Sequence, residues 1–79
     1  MSIEQIINTD KEILGGQPVF TGTRVPIESL FDHLEAGVSL EEFLQDFPTV
    51  SKQQAIELLE IANKITSAKN FTVLYEAVA

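Results

Sequence analysis

The chain has 79 residues, a net charge of −7 from twelve acidic and five basic side chains, one histidine and no cysteine. That length allows a single domain, 1–79, with a thin core. The missing thiols exclude disulfide staples and thiolate metal sites, so self-association is the expected source of added stability and a homodimer the expected state. With 44% hydrophobic residues the chain is expected to fold, yet no apolar run approaches the roughly 18 residues needed to cross a bilayer. The start, Met1-Ser2-Ile3-Glu4-Gln5, lacks a basic segment followed by an apolar stretch. No signal peptide is therefore expected, and the expected compartment is the cytoplasm.

In chain order, residues 1–26 read as short strands and turns. Ile6-Ile7 precedes the turn-prone Asn8-Thr9-Asp10, Gly15-Gly16 precedes Gln17-Pro18-Val19-Phe20-Thr21, and Gly22 separates that run from Thr23-Arg24-Val25-Pro26. Brief β-branched runs punctuated by glycines predict strands at 6–8, 18–21 and 24–25. Gly15, Gly16, Pro18, Gly22, Thr23 and Arg24 are the residues expected to shape the turns. So small a β element must lie against helices or another subunit.

Residues 27–67 predict three helices. The first starts at Pro26 or Ile27, where a missing N–H does no harm, and carries Ile27, Leu30, Phe31 and Leu34 as one stripe. Gly37 fits the left-handed residue after its end. The second has Ser39 and Glu42 spaced as a capping box, Val38 and Phe43 spaced as a hydrophobic staple, and Leu40, Phe43, Leu44 and Phe47 as its buried face. Pro48 stops it. The third starts at Ser51, with Gln54 completing another capping box, and runs to about residue 67. Its stripe is Ala55, Leu58, Leu59, Ala62 and Ile65, broadened by Ile56 and Ile61. The short connection Phe47-Pro48-Thr49-Val50 gives the outline of a helix-turn-helix. The expected fold is mainly α with a small N-terminal β element. In the tail, 68–79, Phe71, Val73 and Tyr75 alternate as in a strand, while Phe71, Leu74, Tyr75 and Val78 match helical spacing, so both forms remain open. The segment either packs on its own core or orders on contact with a partner.

No catalytic constellation emerges. His33 lies off the Leu30–Leu34 stripe and reads as a solvated or interface-edge side chain rather than a general base. Glu41 and Glu42 read as first-turn acids favoured by the helix dipole. The glycines match neither GxxxxGK followed by Ser or Thr nor GxGxxG between a strand and a helix. No enzyme activity, cofactor, metal or small-molecule substrate is expected. Between Arg24 and Lys52 no basic residue occurs, while Glu28, Asp32, Glu35, Glu41, Glu42 and Asp46 do. Such a surface repels nucleic acid. It suits either plain solvation or a basic protein partner.

The run Gly15-Gly16-Gln17-Pro18-Val19-Phe20-Thr21-Gly22-Thr23-Arg24-Val25-Pro26 resembles the GG-x-P-V-x-x-G-T-R hallmark of the domain of unknown function family four-three-three. The likeness continues through Gly37-Val38-Ser39-Leu40-Glu41-Glu42, where that family has G-x-S-x-E-E. It then runs through Asp46-Phe47-Pro48 and into the helix at Ser51–Ala62, about two thirds of the chain in all. The resemblance implies a helix-turn-helix or homeodomain-like domain acting as a VapB-type antitoxin. Such a protein dimerises, covers the active site of a PIN-like ribonuclease toxin and represses its own operon. If the helices dock in a major groove, Lys52, Gln53 and Gln54 at the start of the third helix would read the bases, glutamine being suited to adenine, with capping and solvation the competing reading of Gln54. Arg24 either contacts phosphate or a partner, or ties its turn to a helix carboxylate. For contact with such a toxin the tail is the candidate on its own composition: Phe71, Val73, Leu74 and Tyr75 as aromatic and apolar anchors, with Lys69 reaching toward an acidic metal site. The net charge of −7 opposes operator binding by the protein alone. A stand-alone helix-turn-helix regulator and a non-catalytic dimerisation module are the competing expectations.

Overall fold

The computed structural model describes residues 1–78, with Leu74 described by its backbone alone. Helix α1 spans Ile3–Ile6, strand β1 Ile7–Asn8 and strand β2 Val19–Phe20; helices α2 (Glu28–Glu35), α3 (Leu40–Asp46), α4 (Lys52–Thr66) and α5 (Phe71–Val78) follow. The protein is mainly helical, with one two-stranded antiparallel sheet near the N-terminus, as the sequence leads one to expect. In that sheet Ile7 pairs with Phe20 and Asn8 with Val19. Ile6, expected in the first strand, is instead the buried last residue of α1.

The glycine-rich motif folds as a hairpin in which only one arm qualifies as a strand. Pro18, Val19 and Phe20 lie opposite Ile27, Pro26 and Val25: Ile27 N–H donates to the Pro18 carbonyl at 3.1 Å, and Phe20 N–H to the Val25 carbonyl at 2.9 Å. Each of these pairs makes one bond where an antiparallel ladder makes two. Pro18 has no N–H to give, and the Val25 N–H goes to the Thr23 hydroxyl at 3.0 Å. The strand expected at 24–25 is therefore reduced to a single bridge between Val19 and Pro26. The turn between the arms closes through Thr23 N–H to the Phe20 carbonyl at 3.0 Å, reinforced by the Thr23 hydroxyl on the same carbonyl at 2.8 Å.

Gly22 holds the third position of that turn at φ +81. Positive φ at this position alone defines a type II turn, which favours glycine there. Nothing lies within 4 Å of a Cβ placed on Gly22, so an added methyl meets no neighbour and only the backbone strain is felt. Gly22→Ala is expected to destabilise by about 1 kcal/mol, read as a lower urea midpoint with an unchanged m-value.

The helices start and stop as their local chemistry dictates. After α2, Gly37 takes φ +83; its N–H reaches the Leu34 carbonyl at 3.0 Å and the Val38 N–H the His33 carbonyl at 2.9 Å. That two-bond closure uses carbonyls the helix end leaves free. At α3 only half of the expected capping box forms. Glu42 N–H donates to Ser39 Oγ at 3.1 Å, but the Glu42 carboxylate takes the Ser39 hydroxyl at 3.4 Å rather than the Ser39 N–H. At α4 the box is complete, with Gln54 N–H on Ser51 Oγ at 3.0 Å and Ser51 N–H on Gln54 Oε1 at 3.1 Å.

Ile6, Phe20, Leu30, Phe43, Val50, Ala55 and Leu58 form the buried cluster, with Ile27, Phe31, Leu34, Leu40, Leu44, Phe47, Leu59 and Ile61 packed around it. Within this arrangement α2 lies against α3 and α1 against α4. The stripes expected on α2 and α3 are those that face inward. On α4 the expectation holds for Ala55, Leu58, Leu59 and Ile61, whereas Ile56 and Ile65 are 47% and 49% exposed. The fifteen-residue helix is about 22 Å long and outruns the small body it packs on. No described helix is long and apolar enough to cross a membrane.

Candidate functional site

The C-terminal end of the molecule is assembled by the close of α4. Ser67 N–H donates to the Asn63 carbonyl at 2.9 Å and Ala68 N–H to the Ile65 carbonyl at 3.3 Å. Ser67 Oγ also reaches Asn63 Oδ1 at 3.2 Å. The turn then leads into α5, so the tail adopts the helical option its sequence left open. A helix satisfies its own backbone groups, whereas a lone strand leaves them unpaired.

Phe71, Tyr75 and Val78 fall at i, i+4 and i+7 on α5, and the Phe71 and Tyr75 rings lie 6.1 Å apart. With Ile65 of α4 and Ala77 they line an open apolar groove of about 380 Å³. Val73, Tyr75 and Val78 are 67%, 59% and 84% exposed. A helix this apolar with so much of it in solvent is unusual for a soluble monomer. Glu76 is the only charged residue in Phe71–Val78. The structure thus brings Phe71 and Tyr75 together, leaves Val73 exposed on another side of the helix, and places exposed Lys69 in the preceding turn. The side chain of Leu74 lies outside the described residues. Ile65, Ala77 and Val78 were not singled out as site residues; the i, i+4, i+7 spacing from Phe71 was the signal for Val78, whereas Ile65 reads as core on its own stripe.

The expected DNA-reading set divides. Lys52 and Gln53 are exposed on the first turn of α4, but Gln54 is 8% exposed. Its amide nitrogen donates to the Gln5 carbonyl at 3.1 Å and to the Thr21 carbonyl at 3.0 Å, while its oxygen closes the capping box. With both donors committed, Gln54 is a structural residue and not a base reader. Those bonds also set the turn carrying Arg24 beside the start of α4. Arg24 itself is exposed, and among the described residues no carboxylate lies within ion-pair distance of it. The expected tie from Arg24 to a helix carboxylate is absent; Thr23 and Gln54 hold the turn in its place.

His33 differs from expectation too. It is half-buried, edge-on to Phe43 and Phe47 at 5.3 Å each, and its Nδ1 lies 2.6 Å from the Ser29 carbonyl. A carbonyl can only accept, so Nδ1 carries the proton. Among the described residues no group of three His, Cys, Asp or Glu side chains is placed to hold a metal ion.

The sequence model of the family described as "Protein of unknown function (DUF433)" matches residues 7–62. The chain belongs to that family. The match takes in the hairpin, α2, α3 and most of α4, and it stops before Ile65 and α5. The chain is also 36% identical over 50 residues to the Uncharacterized protein y4eO of Sinorhizobium fredii, an alignment covering 63% of this chain and 23% of that protein. It therefore spans about a quarter of the length of the curated relative it matches. No solved structure matches significantly.

Proposed function

We propose that this protein is the antitoxin of a type II toxin–antitoxin pair, a non-catalytic cytoplasmic chain that neutralises a PIN-like ribonuclease by direct binding. The observation that carries the proposal is the exposed apolar face of α5 and the end of α4. It lies outside the buried cluster and beyond the family-matched stretch, where partner specificity can vary without disturbing the fold. Aromatic anchors on a short helix supply contact area with few rotamers to freeze. The six acids between Arg24 and Lys52 add attraction for a basic partner. Repression of its own operon is the accompanying activity, with Lys52, Gln53 and Arg24 presented at one end of α4 and the toxin complex supplying the positive charge this chain lacks.

The test is to read the neighbouring reading frame, where a PIN-like ribonuclease is expected, and to measure growth rescue on co-expression with it. The full chain is expected to restore growth, and a chain lacking residues 70–79 to fail while keeping the far-UV circular dichroism of a folded body. Among the described residues no buried core residue lies beyond Leu58, which is why the truncated body should stand. Rescue by the truncated chain, or its unfolding, would overturn the assignment of α5 as the toxin-binding segment.

A further inference from the structure

Helix α5 has eight residues, below the roughly 12–15 at which an isolated helix is even marginally stable in water. Among its described apolar side chains Val73, Tyr75, Ala77 and Val78 are exposed and Phe71 is half-buried, so these residues do little to hold it to the body. The whole chain shows the same surplus of surface. A compact chain of 8.7 kDa exposes about 4,700 Å², and this one exposes 5463 Å². The excess is about 700 Å², close to the ~800 Å² that each partner contributes to a standard interface. The radius of gyration, 13.3 Å, exceeds the ~11.6 Å of a compact chain of this length.

From this we infer that in the free protein a second copy of the chain covers α5 and the end of α4, the two pairing about a two-fold axis. Four features select that occupant. The groove and the exposed apolar residues beside it form one patch on α5 and the end of α4, as a self-complementary two-fold interface requires. With a single charged residue on α5, Glu76, two copies meet there without bringing the acids of Glu28–Asp46 into the contact. A basic partner is drawn first to that acidic stretch. And the helix needs cover before any other protein is met, which only another copy guarantees in a domain without disulfides. In this pairing the Tyr75–Val78 edge of each copy enters the groove of the other. The pairing stands on the surface and helix-length arguments alone. A further consequence, that the second copy must leave before a toxin can seat on the same face, rests on the antitoxin reading.

Light scattering and sedimentation of the full chain, without any toxin, test the pairing. The expected mass is twice the 8.7 kDa of the chain at tens of micromolar. Tyr75→Glu and Val78→Glu are each expected to weaken association by at least about tenfold, with the circular dichroism of the body retained. Thr72→Glu, on the polar side of α5 next to Glu76, is the control expected to remain paired. A wild-type chain that stays at the single-chain mass, or pairs that survive both glutamates, would overturn the inference. Pairing lost in Tyr75→Glu while the intact chain fails to neutralise the ribonuclease supports the dimer and retires the antitoxin reading. A toxin bound to an intact pair overturns the competition.

Discussion

Phe43→Ala is expected to remove a large share of the stability of the fold. Phe43 is fully buried, and its ring lies 6.3 Å from Phe20, 5.3 Å from His33 and 4.9 Å from Phe47. It thus joins the N-terminal hairpin, α2 and the end of α3 in one contact. Truncating a buried phenylalanine costs about 3–5 kcal/mol through lost transfer energy and the cavity left behind. A chain of this length has only on the order of 4–12 kcal/mol in total, and a self-associating one draws part of that from its partner. Urea titration followed by circular dichroism reads the loss directly. A decrease below about 1 kcal/mol would mean that the body closes without this ring.

Gln54→Ala is expected to cost about 2–4 kcal/mol, while Gln53→Ala, one residue away, stays within about 0.5 kcal/mol. Gln54 makes three side-chain hydrogen bonds, to Ser51, Gln5 and Thr21. Removing it leaves two carbonyls and one amide without their partner in a part-buried place and opens the start of α4. Gln53 is exposed and meets no such loss. Melting of the two variants side by side separates them. Equal midpoints would show that the hairpin is held by apolar packing alone.

Much of the fold was legible where the determinant is local. The start of α4 follows from Ser51 and Gln54 three residues apart, the end of α2 from Gly37, and the inward faces of α2 and α3 from spacing alone. What sequence could not supply were choices made between distant groups or between near-equal local ones. Glu42 could bond the Ser39 amide or its hydroxyl, and takes the hydroxyl. Val25 could complete a ladder, but Thr23 competes for its N–H from two residues away. Val50 reads as a turn residue and is 4% exposed, because the body folds over that turn. Arg24 invited an ion pair that no neighbouring carboxylate answers.

The candidate site was legible in part. Phe71 and Tyr75 stand out as unplaced aromatics, and they do line the groove. Ile65 was hidden, because a stripe on a helix shows which side is apolar and not how far the rest of the protein extends along it. Gln54 carried two readings, cap and base reader, and the capping box holds. A glutamine on the first turn of a third helix looks available until its amide is seen to reach two carbonyls, 33 and 49 residues earlier in the chain.

That reach bears on how the molecule is made. During synthesis the hairpin emerges well ahead of α4, and until Gln54 leaves the ribosome the carbonyls of Gln5 and Thr21 have no side chain to hold them. The nascent N-terminal third is therefore expected to stay open to chaperones and proteases, and to settle in a single step once α4 is free. A released fragment ending before residue 54 is expected to offer the quality-control machinery an unfolded substrate, whereas one ending after α4 is expected to present a finished body.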